Sequence, residues 1–190
     1  MHRSVQPTTG TALRVCRSSP WPGPDAGASY GESLTVLELP DEAATCATAA
    51  RLAGVVRSGD VLALRGGLGV GKTVFARALI QARAGAEIEV PSPTFTLVQI
   101  YEGLGPDAAD IFHFDLYRIE APEDALELGI DDAFAGGIAL IEWPDRLGPF
   151  LPTRRLDLAL ADVPGQPAAR RLSLTGDGEW RERLAEAGLA

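Results

Sequence analysis

Apolar positions along this chain fall into short runs that switch repeatedly between two periods. In Ser33-Leu-Thr-Val-Leu-Glu-Leu39 apolar and polar residues alternate, the spacing of a half-buried strand. Asp41 then stands as a helix N-cap, and the segment to about Val56 places Ala49, Leu52, Ala53 and Val56 on one face. Asp60–Arg65, with Val61-Leu-Ala-Leu64 at its centre, predicts a short apolar strand. A glycine-rich loop follows, and Lys72–Arg83 reads as a helix. Strands are expected at Thr94–Tyr101 and Asp110–Arg118, then a short helix through Pro122–Leu128 and a buried strand at Ile138–Glu142. Arg154–Leu174 has a hairpin pattern, and Glu179–Ala187 reads as a closing helix with Trp180, Leu184 and Ala187 in line. Strands alternating with helices predict an α/β domain, a sheet with helices packed on it. No internal repeat is visible.

Residues 1–32 break this pattern. Pro7, Pro20, Pro22 and Pro24 and several glycines leave no sustained period, which predicts a flexible tail ahead of one domain at 33–190. Arg3, Arg14 and Arg17, with hydroxyl residues and no acid through position 24, faintly resemble a transit peptide. The prolines and glycines oppose the amphipathic helix such a peptide needs, so a plain tail or a misassigned start is the preferred reading. At 46% hydrophobic and 23% charged residues the composition is that of a globular protein. No apolar stretch approaches the ~20 residues that span a bilayer, so no membrane association is expected. The formal charge of −9 argues against gripping DNA or RNA unaided. Cys16 and Cys46 have no metal-ligand spacing, which fits a reducing cytoplasm.

One basic residue stands apart. Lys72 is the only lysine, all other cationic side chains being arginine, and a guanidinium cannot imitate a compact ammonium. It closes Gly66-Gly67-Leu68-Gly69-Val70-Gly71-Lys72-Thr73, which fits G-x-x-x-x-G-K-[ST] between a strand and a helix. Glycines let backbone N–H groups turn inward around phosphates, and the helix N-terminus adds its positive end. Lys72 then reaches the outer phosphates, and the Thr73 hydroxyl can ligate Mg²⁺. A guanine-reading Asn/Thr-Lys-x-Asp motif needs a second lysine, so ATP is favoured; an LSGGQ-like transporter signature is absent.

A Mg²⁺–triphosphate site needs a further oxygen ligand, usually an acid at a strand end. Ile138-Ala-Leu-Ile-Glu142 ends an apolar run in Glu142. In Ile111-Phe-His-Phe-Asp115-Leu-Tyr-Arg118 the alternation puts Phe112, Phe114 and Leu116 on one face and His113, Asp115 and Tyr117 on the other. A salt bridge of Asp115 to Arg118, and a solvent-exposed Glu142, are the plain alternatives. For His113 a packed or hydrogen-bonded histidine is the favoured reading. Val90-Pro-Ser-Pro-Thr-Phe-Thr-Leu-Val98 offers Ser92 and Thr94 on a proline-bounded turn, either a γ-phosphate-sensing switch loop or simply a turn into a strand.

Together these segments resemble the TsaE (YjeE) family of P-loop ATPases of bacterial tRNA threonylcarbamoyladenosine synthesis. The matching pieces are Leu39-Pro-Asp-Glu42, Gly66–Thr73, Pro91–Val98 with Tyr101, His113–Arg118, Glu127-Leu-Gly129 and Ile141-Glu-Trp-Pro144, within about Ser33 to Leu174. The resemblance implies a P-loop NTPase-like, mostly parallel sheet flanked by helices, with an added C-terminal hairpin and helix. It implies binding of ATP or ADP with Mg²⁺ and slow ATP hydrolysis. The partners implied are the TsaD and TsaB proteins, with tRNA engaged only indirectly through them and the carbamoyl transfer left to them. It assigns phosphate binding to Lys72, the metal to Thr73 and Glu142, and catalysis to Asp115, Glu142 and Lys72. It puts Ser92 and Thr94 in the switch loop, Trp143 beside the nucleotide, and Thr45 and Arg171 near the base. Family members commonly carry Asp where this chain has Gly67, which bears on turnover more than on binding. Two other readings stay open: a P-loop small-molecule kinase, with Arg118 and Arg146 as candidate lid residues, and a nucleotide-gated adaptor without useful turnover.

Overall fold

The computed structural model describes residues 31–190. The tail expected at 1–32 lies outside the described residues except for Gly31 and Glu32, and Glu32 already opens a strand. The strands are β1 (Glu32–Leu39), β2 (Val61–Arg65), β3 (Val98–Leu104), β4 (Ala109–Asp115), β5 (Ile138–Glu142), β6 (Leu156–Val163) and β7 (Gln166–Gly176). The α-helices are α1 (Glu42–Ala53), α2 (Lys72–Ala84), α3 (Ile130–Gly136) and α4 (Gly178–Glu186), with 3-10 helices at Pro122–Leu128 and Pro144–Phe150. No helix among the described residues is long and apolar enough to cross a membrane.

All seven strands join one sheet in the order β1-β7-β6-β2-β5-β4-β3. Its centre, β6-β2-β5-β4, is parallel, whereas β1–β7, β7–β6 and β4–β3 pair antiparallel. The parallel centre, flanking helices, C-terminal hairpin and closing helix meet the sequence expectation; the margins are antiparallel. Parallel strands covered on both faces become continuous apolar runs, and β2 and β5 are buried along almost their whole length. On one face Leu62, Leu64, Ile138 and Leu140 pack with Leu52 of α1, Phe75 and Leu79 of α2, and Trp180 of α4. On the other face Val61, Phe114, Ala139 and Ile141 pack with Ala125, Ile130 and Leu147 from the 3-10 helices and α3.

Several local forces set the element ends. Asp41 caps α1 by accepting from the Ala44 N–H at 2.8 Å. Helix α2 starts at Gly71, in the left-handed region with φ 110°, and has no side-chain cap, so its first N–H groups lack the usual partner. The strand expected from Thr94 begins only at Val98. Thr94–Leu97 is a turn, closed by the Leu97 N–H on the Pro93 carbonyl at 2.6 Å and by φ 64° at Leu97. Likewise β4 ends at Asp115 rather than Arg118, because the carboxylate folds back onto the Tyr117 N–H at 3.1 Å.

Candidate functional site

The carboxyl ends of β2, β4 and β5 meet the start of α2, and most of the predicted residues converge there. Gly66–Gly71 leaves β2 and returns into α2. The loop is anchored by Val70, whose side chain is buried in the core, while Leu68 is 81% exposed at its tip. Gly66 adopts φ 134°, and a Cβ there would run into the backbone carbonyl of Leu160 and lie 2.8 Å from Val70 Cγ1. Gly67 is different: its φ lies outside the left-handed range and a Cβ would meet nothing within 4 Å.

Lys72 is 5% exposed. Its Nζ donates to the carbonyls of Gly66 (3.0 Å) and Gly67 (2.8 Å) and lies 4.0 Å from the centroid of the Trp143 ring. Burial pushes its ammonium below the usual lysine range, while the carboxylates of Glu142 and Asp115 pull the other way. Trp143 takes its place through a left-handed backbone, φ 59° and ψ 49°, and also packs on Tyr117 with ring centroids 4.9 Å apart. Such a conformation in a bulky residue costs on the order of 1–3 kcal/mol and marks functional sites disproportionately.

Asp115 and Glu142 are direct register partners on β4 and β5 and are nearly inaccessible to solvent. The plain alternatives for both fall. Glu142 is not a solvent-exposed strand end: its Oε2 accepts from the Thr73 hydroxyl at 3.0 Å and its Oε1 lies 3.0 Å from His113 Nε2. Asp115 does not pair with Arg118, whose guanidinium lies over the Phe95 ring. It accepts instead from the Thr94 hydroxyl at 2.7 Å, and Thr94 shares a 2.8 Å hydrogen bond with Ser92. Thus the proline-bounded loop is tied to the acid through Thr94, and α2 holds its approach through Arg77 on the Val90 carbonyl at 3.0 Å. His113 is wholly buried and hydrogen-bonded, as read from the sequence.

Opposed buried carboxylates repel, and burying them is expensive without a cation. Lys72 supplies one charge. Among the described residues no cluster of three acidic, histidine or cysteine side chains could cage a metal alone. The donors present, a threonine hydroxyl and one carboxylate with a second nearby, fit instead a Mg²⁺ that brings its own waters and phosphate oxygens.

Thr45 and Arg171 do not join this group. Thr45 is buried on α1, where its hydroxyl donates to the Asp41 carbonyl at 3.3 Å. Arg171 is paired with Glu38 at 3.7 Å. Strand alternation places it on the opposite face from Leu172 and Leu174, which pack beneath α1 and α2. Arg170, its neighbour, faces the α1–α2 side, and its Nε donates to the Val70 carbonyl of the glycine loop at 2.8 Å. Sequence reading missed Arg170; its phase with Leu172 and Leu174 was the available signal.

Fold and loop define the class: a P-loop α/β protein, with the glycine loop at the carboxyl edge of a parallel-centred sheet. The profile of the family described as threonylcarbamoyl adenosine biosynthesis protein TsaE matches residues 39–171. The chain is 37% identical over 128 residues to a tRNA threonylcarbamoyladenosine biosynthesis protein TsaE from Rickettsia bellii, covering 67% of this chain and 85% of that protein. It is 35% identical over 144 residues to the protein of the same name from Bacillus subtilis, covering 75% and 85%. The crystal structure of Bacillus subtilis YdiB superposes with a TM-score of 0.62 at 28% identity, over 80% of this chain and 90% of that one. The chain belongs to the TsaE family, whose role lies in forming threonylcarbamoyladenosine in tRNA.

Proposed function

We propose that the protein binds ATP and ADP with Mg²⁺ and hydrolyses ATP slowly in support of threonylcarbamoyladenosine formation by TsaD and TsaB. The observation that carries this is the convergence of Lys72, Thr73, Asp115 and Glu142 on one buried strand edge beside the glycine loop. Gly66–Gly71 and the uncapped start of α2 offer N–H groups to phosphates. Lys72 neutralises the outer phosphates. Thr73 and Glu142 would hold the cation, which would supply positive charge to offset that of the phosphates. Asp115, tethered to Thr94, orients the attacking water and couples the Ser92–Thr94 loop to the nucleotide state. Trp143 walls the lysine side of the site. The formal charge of −9 suits a protein that leaves the tRNA to its partners, and cytoplasmic residence follows from that role.

The absence of an acid at Gly67 supports a second reading within the same family, a nucleotide-gated adaptor whose exchange rather than turnover is the signal. The kinase reading loses one candidate lid residue, since Arg118 is engaged with Phe95. Phosphate release from Mg–ATP, measured alone and with TsaB, TsaD and tRNA, separates these readings. Weak turnover that rises with the partners is the expected result. Tight binding without turnover in either condition selects the adaptor, and no nucleotide binding at all refutes the site.

A further inference from the structure

His113 lies on β4, outside the glycine loop, and its placement is specific. It stands opposite Leu140 of β5, two residues before Glu142, so its ring reaches diagonally along the strand pair to the carboxylate. The ring is wholly buried; Nε2 lies 3.0 Å from Glu142 Oε1, and Nδ1 has no partner. A histidine there purely for packing would be replaceable by an apolar residue, without a polar nitrogen left unpaired in the core. An ionised carboxylate only accepts, so the Nε2 proton points at Glu142. The other oxygen of that carboxylate, Oε2, is the one that meets Thr73.

We propose that His113 is a positioning residue: its Nε2–H fixes Oε1 of Glu142 so that Oε2 faces Thr73 and a divalent cation carried by the nucleotide. This rests on the nucleotide-site reading above and deepens it. Two oxygens of one carboxylate are given separate duties, one to the β4 histidine and one to the cation side. Without the histidine the glutamate carboxylate keeps only the Thr73 hydrogen bond on Oε2, and Oε1 no longer fixes its terminal torsion. Loss of such an outer hydrogen bond commonly lowers metal affinity roughly 10–100-fold.

The test titrates a fluorescent ADP analogue into wild type, His113→Gln, His113→Asn and His113→Leu, each with Mg²⁺ and with chelator. Glutamine puts an N–H near the Nε2 position; asparagine is polar but falls short of Glu142. The expected result is equal affinity for all four in chelator, with a Mg²⁺ enhancement at least about tenfold smaller in Asn and Leu and largely restored in Gln. If the leucine variant does not fold, the Asn–Gln pair decides alone. Long-range ¹⁵N spectra give a second readout: the chain has two histidines, His2 and His113, and the wild-type His113 ring should show the proton on Nε2. A full Mg²⁺ response in Asn and Leu, equal loss in Gln, or a proton on Nδ1 alone overturns the proposal. A wild type that binds the analogue with no Mg²⁺ enhancement overturns it too, while leaving the phosphate loop standing. A wild type that binds no analogue refutes the underlying site.

Discussion

Gly66 and Gly67 are adjacent in one loop, yet replacing each by alanine should have opposite results. At Gly66 the methyl group meets two obstacles. The backbone angle of 134° is one that L residues rarely adopt, which costs on the order of 1–3 kcal/mol. The new Cβ also collides with the Leu160 carbonyl, part of β6 and unable to swing aside, and with Val70 Cγ1 at 2.8 Å. Overpacking against such neighbours typically costs about 1–3 kcal/mol. Taken together the loss is about 4 kcal/mol, which at ~2–4 °C per kcal/mol for a domain of this size lowers the melting temperature by about 8–16 °C. Alternatively the loop moves off β6, and phosphate binding falls instead. At Gly67 there is no collision and no left-handed angle, so alanine should change stability by less than about 1 kcal/mol, with a gain if its backbone suits the site. Thermal unfolding and fluorescent-ADP titration of the two variants side by side test this. A Gly66→Ala protein with wild-type melting and wild-type binding would refute the geometric argument. A Gly67→Ala protein as damaged as Gly66→Ala would refute it equally.

Other consequences can be checked by similar means. Lys72→Ala should keep the fold but lose nucleotide binding by more than tenfold in the same titration, since no other lysine exists in the chain. Tyr101 carries a buried hydroxyl with no partner, so Tyr101→Phe should raise stability, by about 1 kcal/mol in urea denaturation, rather than lower it. Asp107 tests pH. Burial raises its carboxyl, but Arg83 and the hydrogen bonds from its own and the Ser58 N–H outweigh that and hold it below its ordinary value of 3.8. A depressed folded value means the stabilisation is present above pH 4 and disappears as pH falls through the folded value. Asp107 is exposed, so solvent screens the pair, and Asp107→Asn should cost no more than about 1 kcal/mol in urea at pH 7, with the gap to wild type closing in strong acid. Arg170→Ala should weaken fluorescent-ADP binding several-fold by freeing the Val70 carbonyl.

What the sequence made legible was whatever depends on neighbours along the chain. The glycine loop, the apolar runs of β2 and β5, the Asp41 cap and the hairpin follow from local spacing, and each lies where the spacing put it. The pairing of Asp115 with Glu142 does not, because it depends on β4 and β5 lying side by side in one register. Helix α3 escaped notice since its two turns bury only Ile130 and Ala133, too short a stripe to show a period. The 3-10 helix at Pro144–Phe150 carries prolines and Gly148 that read as loop. Thr94–Leu97 had strand-forming residues, but prolines on one side and the pull of Asp115 on the Thr94 hydroxyl made it a turn. Arg170 and Arg171 differ only in phase, and phase is settled by which face of β7 is covered.

The first strand of the sheet pairs with the last: Glu32 on β1 lies opposite Gly176 on β7. During synthesis β1 leaves the ribosome long before its partner is made. Through that interval its apolar face, Leu37 and Leu39, has only α1 to lean on, and both its edges are unpaired. The centre of the sheet, by contrast, can assemble as soon as β6 has emerged. Closing the margin is thus the late, long-range step, with the loop-closure entropy that slows folding of distant pairings. A nascent chain stalled before β7 would have the glycine loop's strand neighbours in place while lacking the Arg170 contact to the Val70 carbonyl and still offering β1 as a sticky edge.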